Sequence, residues 1–199
     1  MNKILSIIVS LLFVSTHLYA YDFEVDGFYY SKISNTEVEI TYNNINTKSY
    51  SGSLTIPQKV NYNGVNYTVT AIGAYAFDNC TELKGTLNIP NTIKSIGTSS
   101  FSGCSNLTGS LIIPSSVETI GNMAFEDCAG FNGTLTLPNS IQSIGYGTFA
   151  GCKGLIGSLK IPNSVKKLDR YAFQNCSGLQ GLNIPNSIEE IGDYVFQYC

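Results

Sequence analysis

Histidine, tryptophan and arginine are almost missing from this chain of 199 residues, which has no Trp, one His and one Arg. The histidine, His17, lies in an N-terminal segment that is typical of a cleaved leader. Catalytic triads and Cys–His dyads need a general base beside the nucleophile, and histidine is the commonest base. The shortage therefore argues against a serine or cysteine hydrolase.

Charged residues are also scarce, at 13% of the chain. Loss of the leader removes Lys3 and no acidic residue, so the net charge falls from −3 to about −4, which argues against a nucleic-acid partner. The 14 acidic residues could supply a carboxylate pair for glycoside hydrolysis, but Asp78, Glu126 and Glu189 fall at polar turn positions. We therefore expect a solvated surface, and we predict no enzyme activity and no catalytic residues.

Motifs that hold metals are missing from the sequence as well. It has no Cys-x-x-Cys pair to combine with histidine in a zinc site, and no Asp-x-Asp-x-Asp calcium loop. We predict no metal site and no cofactor.

Residues 1–20 are typical of a signal peptide. Lys3 precedes an uncharged apolar run from Ile4 to Val14, which is too short to cross a bilayer. Ala20 suits the residue before a cleavage site, and no Cys lies there to carry a lipid. We expect an exported protein, secreted or at the cell surface, without a transmembrane segment.

Four residue types recur at a fixed interval through the rest of the chain. Successive cysteines are 24, 24, 24, 24 and 23 residues apart, and a Phe precedes each Cys by three positions. The two sets are Cys80, Cys104, Cys128, Cys152, Cys176 and Cys199, with Phe77, Phe101, Phe125, Phe149, Phe173 and Phe196. An aliphatic residue and a Pro keep the same steps. Such a period predicts a solenoid, in which each unit packs only against its neighbours.

The unit from Leu83 to Cys104 shows how the chain is expected to turn. Leu87 and Ile89 alternate with polar residues, which predicts a short strand with one buried face. Phe101 and Cys104, three residues apart, fit one turn of α- or 3₁₀-helix with both side chains inward. The prediction is a mostly β fold of parallel stacked strands with short helical turns.

The order of the strand, Ile-Pro-x-Ser-Val, Ile-Gly and Ala-Phe-x-x-Cys resembles the BspA-like leucine-rich repeats of bacterial surface and secreted proteins. The resemblance covers Val69 to Cys199, with a local departure where Leu168-Asp169 replaces Ile-Gly. It implies a leucine-rich-repeat solenoid. It also implies a protein ligand, either a host extracellular-matrix protein or another cell surface, bound in adhesion.

Three segments are expected along the chain. They are the signal peptide at 1–20, an N-terminal β cap with a degenerate first repeat at 21–68, and the regular repeats at 69–199. Asp26-Gly27 and Asn63-Gly64 predict hairpins within the cap. The chain stops inside a repeat, so we expect either a fragment of a longer protein or a poorly covered last coil.

The cysteines allow two interpretations. Adjacent coils lie about 4.8 Å apart, which is within reach of a disulfide, and an exported protein can form one. One Cys at the same position of every repeat, beside Phe, instead favours a buried thiol that acts as a small hydrophobe. We prefer buried thiols.

The outward side chains of the strands are the candidate ligand-binding residues, because recognition by solenoids is usually through such a surface. They are Thr86, Asn88, Ser110, Ile112, Thr134, Thr136, Ser158, Lys160 and Asn183. Any one of these could equally be a β-former on a wet face. The alternative function is a carbohydrate-binding or structural envelope module, which the Tyr-rich stretch with Tyr29, Tyr30, Tyr42 and Tyr50 suggests.

Overall fold

The structure of this chain is a computed structural model, which describes residues 21–43 and 50–199. The predicted signal peptide, residues 1–20, lies outside the described residues. Strands and hydrogen-bonded turns make up the described chain, which contains no helix. None of its segments is therefore a helix that could cross a bilayer.

The part of the chain before the regular repeats contains three antiparallel hairpins. The hairpin that pairs residues 28–32 with 37–41 was not predicted, and the other two were. Asp26 and Gly27 connect the first of the predicted hairpins, and Asn63 and Gly64 the second, all four with φ between 50° and 80°. These values suit Asp-Gly and Asn-Gly turns. The strands here are β1 (Phe23–Val25), β2 (Phe28–Lys32), β3 (Glu37–Thr41), β4 (Gly52–Thr55), β5 (Lys59–Tyr62) and β6 (Val65–Ile72). The segment boundary at residue 68 falls within β6 and stays a prediction.

Each repeat forms one coil with short strands on two sides, and strands of successive coils pair in parallel. On one side the strands form three short parallel sheets in succession, which together we call the first ladder. They are β4 with β7 (Leu83–Asn88) and β9 (Leu107–Thr108), then β10 (Leu111–Ile112) with β12 (Leu135–Thr136), then β14 (Gly157–Lys160) with β16 (Leu179–Asn183). On the other side two sheets follow one another, which together we call the second ladder. The first continues β3 and β6 with β8 (Ser95–Ile96) and β11 (Thr119–Ile120), and the next contains β13 (Ser143–Ile144), β15 (Lys167–Leu168) and β17 (Glu190–Ile191). The predicted solenoid of parallel stacked strands is confirmed.

The helical turn predicted at Phe101 and Cys104 is wrong, although both side chains point inward and are buried. The amide of Cys104 donates to the carbonyl of Phe101 at 3.1 Å, but the amide of Phe101 donates to Ala124 in the next coil at 2.8 Å. Ser99 and Gly103 have φ of 50° and 71°, in the left-handed region that a helix excludes. Alternate amides thus bond to the neighbouring coil, and the segment is a series of turns.

A column of stacked phenylalanines runs through the solenoid. Neighbouring rings from Phe77 to Phe196 have centroids 4.9 to 5.6 Å apart and lie within 14° of parallel. At the N-terminal end, the ring of Tyr50 packs on Phe77 at 4.7 Å. Its hydroxyl donates to the carbonyl of Thr41 at 2.8 Å. Tyr50 therefore closes one end of the column, and its buried hydroxyl has a hydrogen-bond partner.

Candidate functional site

The nine candidate residues lie on the outer side of the first ladder, and we call them the strand surface. Eight are exposed, and Ser110 is half-buried. The leucines beside them in the strands, such as Leu87, Leu111 and Leu159, are buried. The alternation of apolar and polar residues in these strands therefore predicted which side chains face inward and which face outward.

The pairing of the strands brings the candidate residues into rows across the coils. Ile112 lies beside Thr136, and Lys160 beside Asn183. Ile112 is the exposed apolar member of the surface, with 57% of its area accessible. The half-burial of Ser110 has a local cause, since its Oγ accepts a hydrogen bond of 3.1 Å from the amide of Thr134.

A shallow groove of about 410 Å³ crosses two coils of the strand surface. Four candidate residues line it, namely Thr134, Thr136, Ser158 and Lys160. Leu135, Leu137, Asn139 and Pro162 complete its wall and were not among the candidates. Asn139 follows the recurring Pro, and the repeated Pro-Asn pair was the signal that could have indicated it.

The strand surface offers hydrogen-bonding groups, one cation and one apolar side chain. It has no carboxylate, so it contains no acid–base pair of the kind that hydrolysis requires. Across residues 21–43 and 50–199, no group of three or more His, Cys, Asp or Glu side chains could hold a metal ion.

The Tyr-rich stretch that suggested sugar binding is partly core. Tyr30 and Tyr50 are buried, with 1% and 7% of their areas exposed. Burial raises the pKa of both phenols well above the usual value of 10. Tyr30 packs on Phe23, with ring centroids 5.2 Å apart. Two of the four rings therefore cannot stack on a sugar, because the cap needs them for its own packing.

Comparison with protein families matches residues 22–129 and 108–199 to the BspA type leucine rich repeat region, in six copies. The chain belongs to this family. No match was found among curated proteins.

Several solved structures resemble the BspA-type chain. A leucine-rich repeat protein from Bacteroides ovatus is 27% identical, with a TM-score of 0.50, over 87% of this chain and 56% of that one. A leucine rich cell surface protein from Faecalibacterium prausnitzii is 24% identical, with a TM-score of 0.66, over 89% and 52%. The leucine rich repeat protein of T. pallidum is 23% identical, with a TM-score of 0.66, over 86% and 82%. The chain thus spans about half the length of the first two.

The cysteines of the BspA-type repeats form a column beside the phenylalanines. All six lie in the described residues, and none is in a disulfide. From Cys104 onward, each Sγ donates a hydrogen bond of 3.0 to 3.1 Å to the carbonyl of the Phe in the preceding coil. Five of the six are buried, and Cys199 is exposed. The structure agrees with the preferred interpretation of buried thiols.

Burial should make these thiols slow to react. It raises the pKa of Cys176 to about 12 and that of Cys128 and Cys152 well above the usual 9.0, and the thiolate is the reactive form. We expect a thiol reagent to label Cys199 early in the native protein and the five buried thiols only in denaturant.

Mass spectrometry after labelling measures this at each Cys. The denatured sample should be fully labelled without a reductant. A pair of cysteines that stays unlabelled until reductant is added would show that the coils are joined by a disulfide there.

Proposed function

We propose that this BspA-type protein is exported and binds another protein through the strand surface, in adhesion to host extracellular proteins or to other cells. The observation that carries the proposal is the exposed parallel ladder. Its outward side chains differ from coil to coil, while their inward neighbours repeat. These neighbours are buried in the earlier coils, as Leu87, Leu111 and Leu159 are, and exposed in the last coil at Leu182 and Ile184. A repeated interior with a variable outer stripe is how solenoids present a binding surface.

Two further features support a recognition role. The strand surface carries Lys160 as its one charged residue, so covering this surface desolvates few charges of its own. The exposed Ile112 lies beside Thr136 on the same surface, where a partner can cover its apolar side chain. The signal-peptide pattern of residues 1–20 supports export.

A paired substitution tests the proposed face. Ile112→Glu with Thr136→Glu puts two like charges on neighbouring strands of the strand surface. We expect binding to a panel of purified extracellular-matrix proteins to weaken by about tenfold or more, because carboxylates would have to be desolvated in the interface. Surface plasmon resonance measures this.

The matched control lies on the second ladder of the same two coils. Thr119→Glu with Ser143→Glu adds the same charge at exposed outward positions there. This control should bind as the parent does. Equal loss in both variants, or binding to a glycan array but to no matrix protein, would contradict the proposal.

A further inference from the structure

Two neighbouring coils carry charges of opposite sign on the second ladder and its turn. Lys166, Lys167 and Arg170 lie on one coil, and Glu189, Glu190 and Asp193 lie on the next. The three pairs are 3.1, 2.9 and 3.6 Å apart, and their side chains are 41 to 73% exposed. Exposed pairs of this kind contribute about 0 to 1 kcal/mol each, so they can change partners at little cost.

Asp169 is the exception to the basic coil. Its Oδ1 accepts a hydrogen bond of 2.8 Å from the amide of Arg170, which ties the carboxylate to its own turn. The basic stripe therefore keeps a net positive charge, since it carries three cations against this one carboxylate.

A row of tyrosines runs beside these stripes. The ring of Tyr171 lies between Tyr146 and Tyr194, at centroid distances of 5.5 and 5.4 Å. Tyr146 and Tyr194 are 39% and 53% exposed. The guanidinium of Arg170, which is the one arginine of the chain, lies 5.3 Å from the ring centroid of Tyr171.

Tyr171 and Tyr194 lie at a turn position that has positive φ in every coil. Their φ values are 61° and 60°, and the equivalent residues Tyr75, Ser99, Met123 and Gly147 have φ between 50° and 59°. Neither ring lies in the buried core.

We propose that the two stripes and the tyrosine row form a two-fold interface between two copies of this chain. In such an interface both copies contribute the same patch, and their solenoid axes run in opposite directions. The basic stripe of one copy then faces the acidic stripe of the other, with Tyr171 and Tyr194 at the centre. If the two solenoid axes ran in the same direction, the stripes of like charge would face each other. Tyrosine and arginine are also the residues that most often anchor protein interfaces.

This interface leaves the strand surface open, because it lies on the second ladder and its turn. Each copy would add its own strand surface to the assembly. A dimer would thus be bivalent toward a ligand that is itself repeated on a surface, which increases avidity without any new contact.

Sedimentation of the purified chain at rising concentration tests the proposal. The parent chain should approach the mass of two chains, and added salt should favour the monomer, since salt screens charges at the rim. Lys167→Glu with Arg170→Asp makes both stripes acidic and should weaken self-association by about tenfold or more. Glu190→Lys with Asp193→Arg makes both stripes basic and should do the same.

Two combinations then distinguish charge complementarity from damage to the fold. Mixing the acidic-stripe and basic-stripe variants should give a heterodimer. All four substitutions in one chain should restore the homodimer with the stripes exchanged. Circular dichroism melts confirm that each variant is folded.

Tyr194→Ser should also weaken association. The matched control is Tyr75→Ser, which alters a tyrosine with φ of 59° at the equivalent position of a coil without these stripes. Lys94→Glu is the second control, because it breaks the ion pair with Glu37 outside the patch. A parent chain that sediments as a monomer throughout would overturn the proposal. A dimer that persists unchanged in the acidic-stripe variant would overturn it as well.

Discussion

Replacing Phe125 by alanine is expected to lower the free energy of unfolding by about 3 to 5 kcal/mol. The ring is fully buried, and it stacks on Phe101 at 5.2 Å and on Phe149 at 5.6 Å. Its removal leaves a cavity that borders three coils, and the stacked coils cannot close it without losing their own pairing. Stability in a solenoid is the sum of such contacts between neighbours.

Urea denaturation followed by circular dichroism measures the loss. The control is Thr136→Ala, an exposed outward substitution on the first ladder of the next coil, which should change stability by less than about 0.5 kcal/mol. Equal losses in the two variants would mean that the rings do not form the core.

The period of the sequence was enough to predict the interior. Residues such as Phe101, Cys104 and Leu111 are buried where the repeat places them. A side chain that recurs in every coil must face the one environment that every coil shares. The same argument placed the outward residues, since strand alternation leaves them the opposite face.

The turn could not be predicted from the sequence of one coil. A spacing of three between Phe101 and Cys104 fits a helical turn and a β-turn equally well. The choice depends on the amide of Phe101, which bonds to a carbonyl that the next coil supplies. The hydrogen-bond partner is thus absent from the segment itself, and only the stacked structure decides between the two geometries.

Two other features were not predicted. The burial of Tyr30 and Tyr50 follows from how the hairpin of β1 and β2 folds over the first coil, and that part of the chain has no repeat to indicate it. The half-burial of Ser110 follows from a contact with Thr134, 24 residues away. That contact could have been predicted from the repeat register, because residues one period apart are neighbours.

The glycine that precedes the outward Ser or Thr of the first ladder should be the other position of large effect. It occupies the same place in four coils, at Gly85, Gly109, Gly133 and Gly157. A Cβ at Gly133 would lie 2.7 Å from the amide nitrogen and 2.8 Å from the Cα of Ser110 in the preceding coil. These are backbone atoms, so no side-chain rotation can relieve the overlap, and the two coils must move apart.

We therefore expect Gly133→Ala to lower the free energy of unfolding by about 1 to 3 kcal/mol, as overpacking does. Gly133→Val should cost more, because the branched side chain extends further into the same backbone. Thr134→Ala, at the next residue but exposed, is the matched control and should change little. Urea denaturation of the three variants checks the order. A series in which Ala and Val at position 133 are both as stable as the parent would show that the coils can separate freely there, and that close stacking does not fix this glycine.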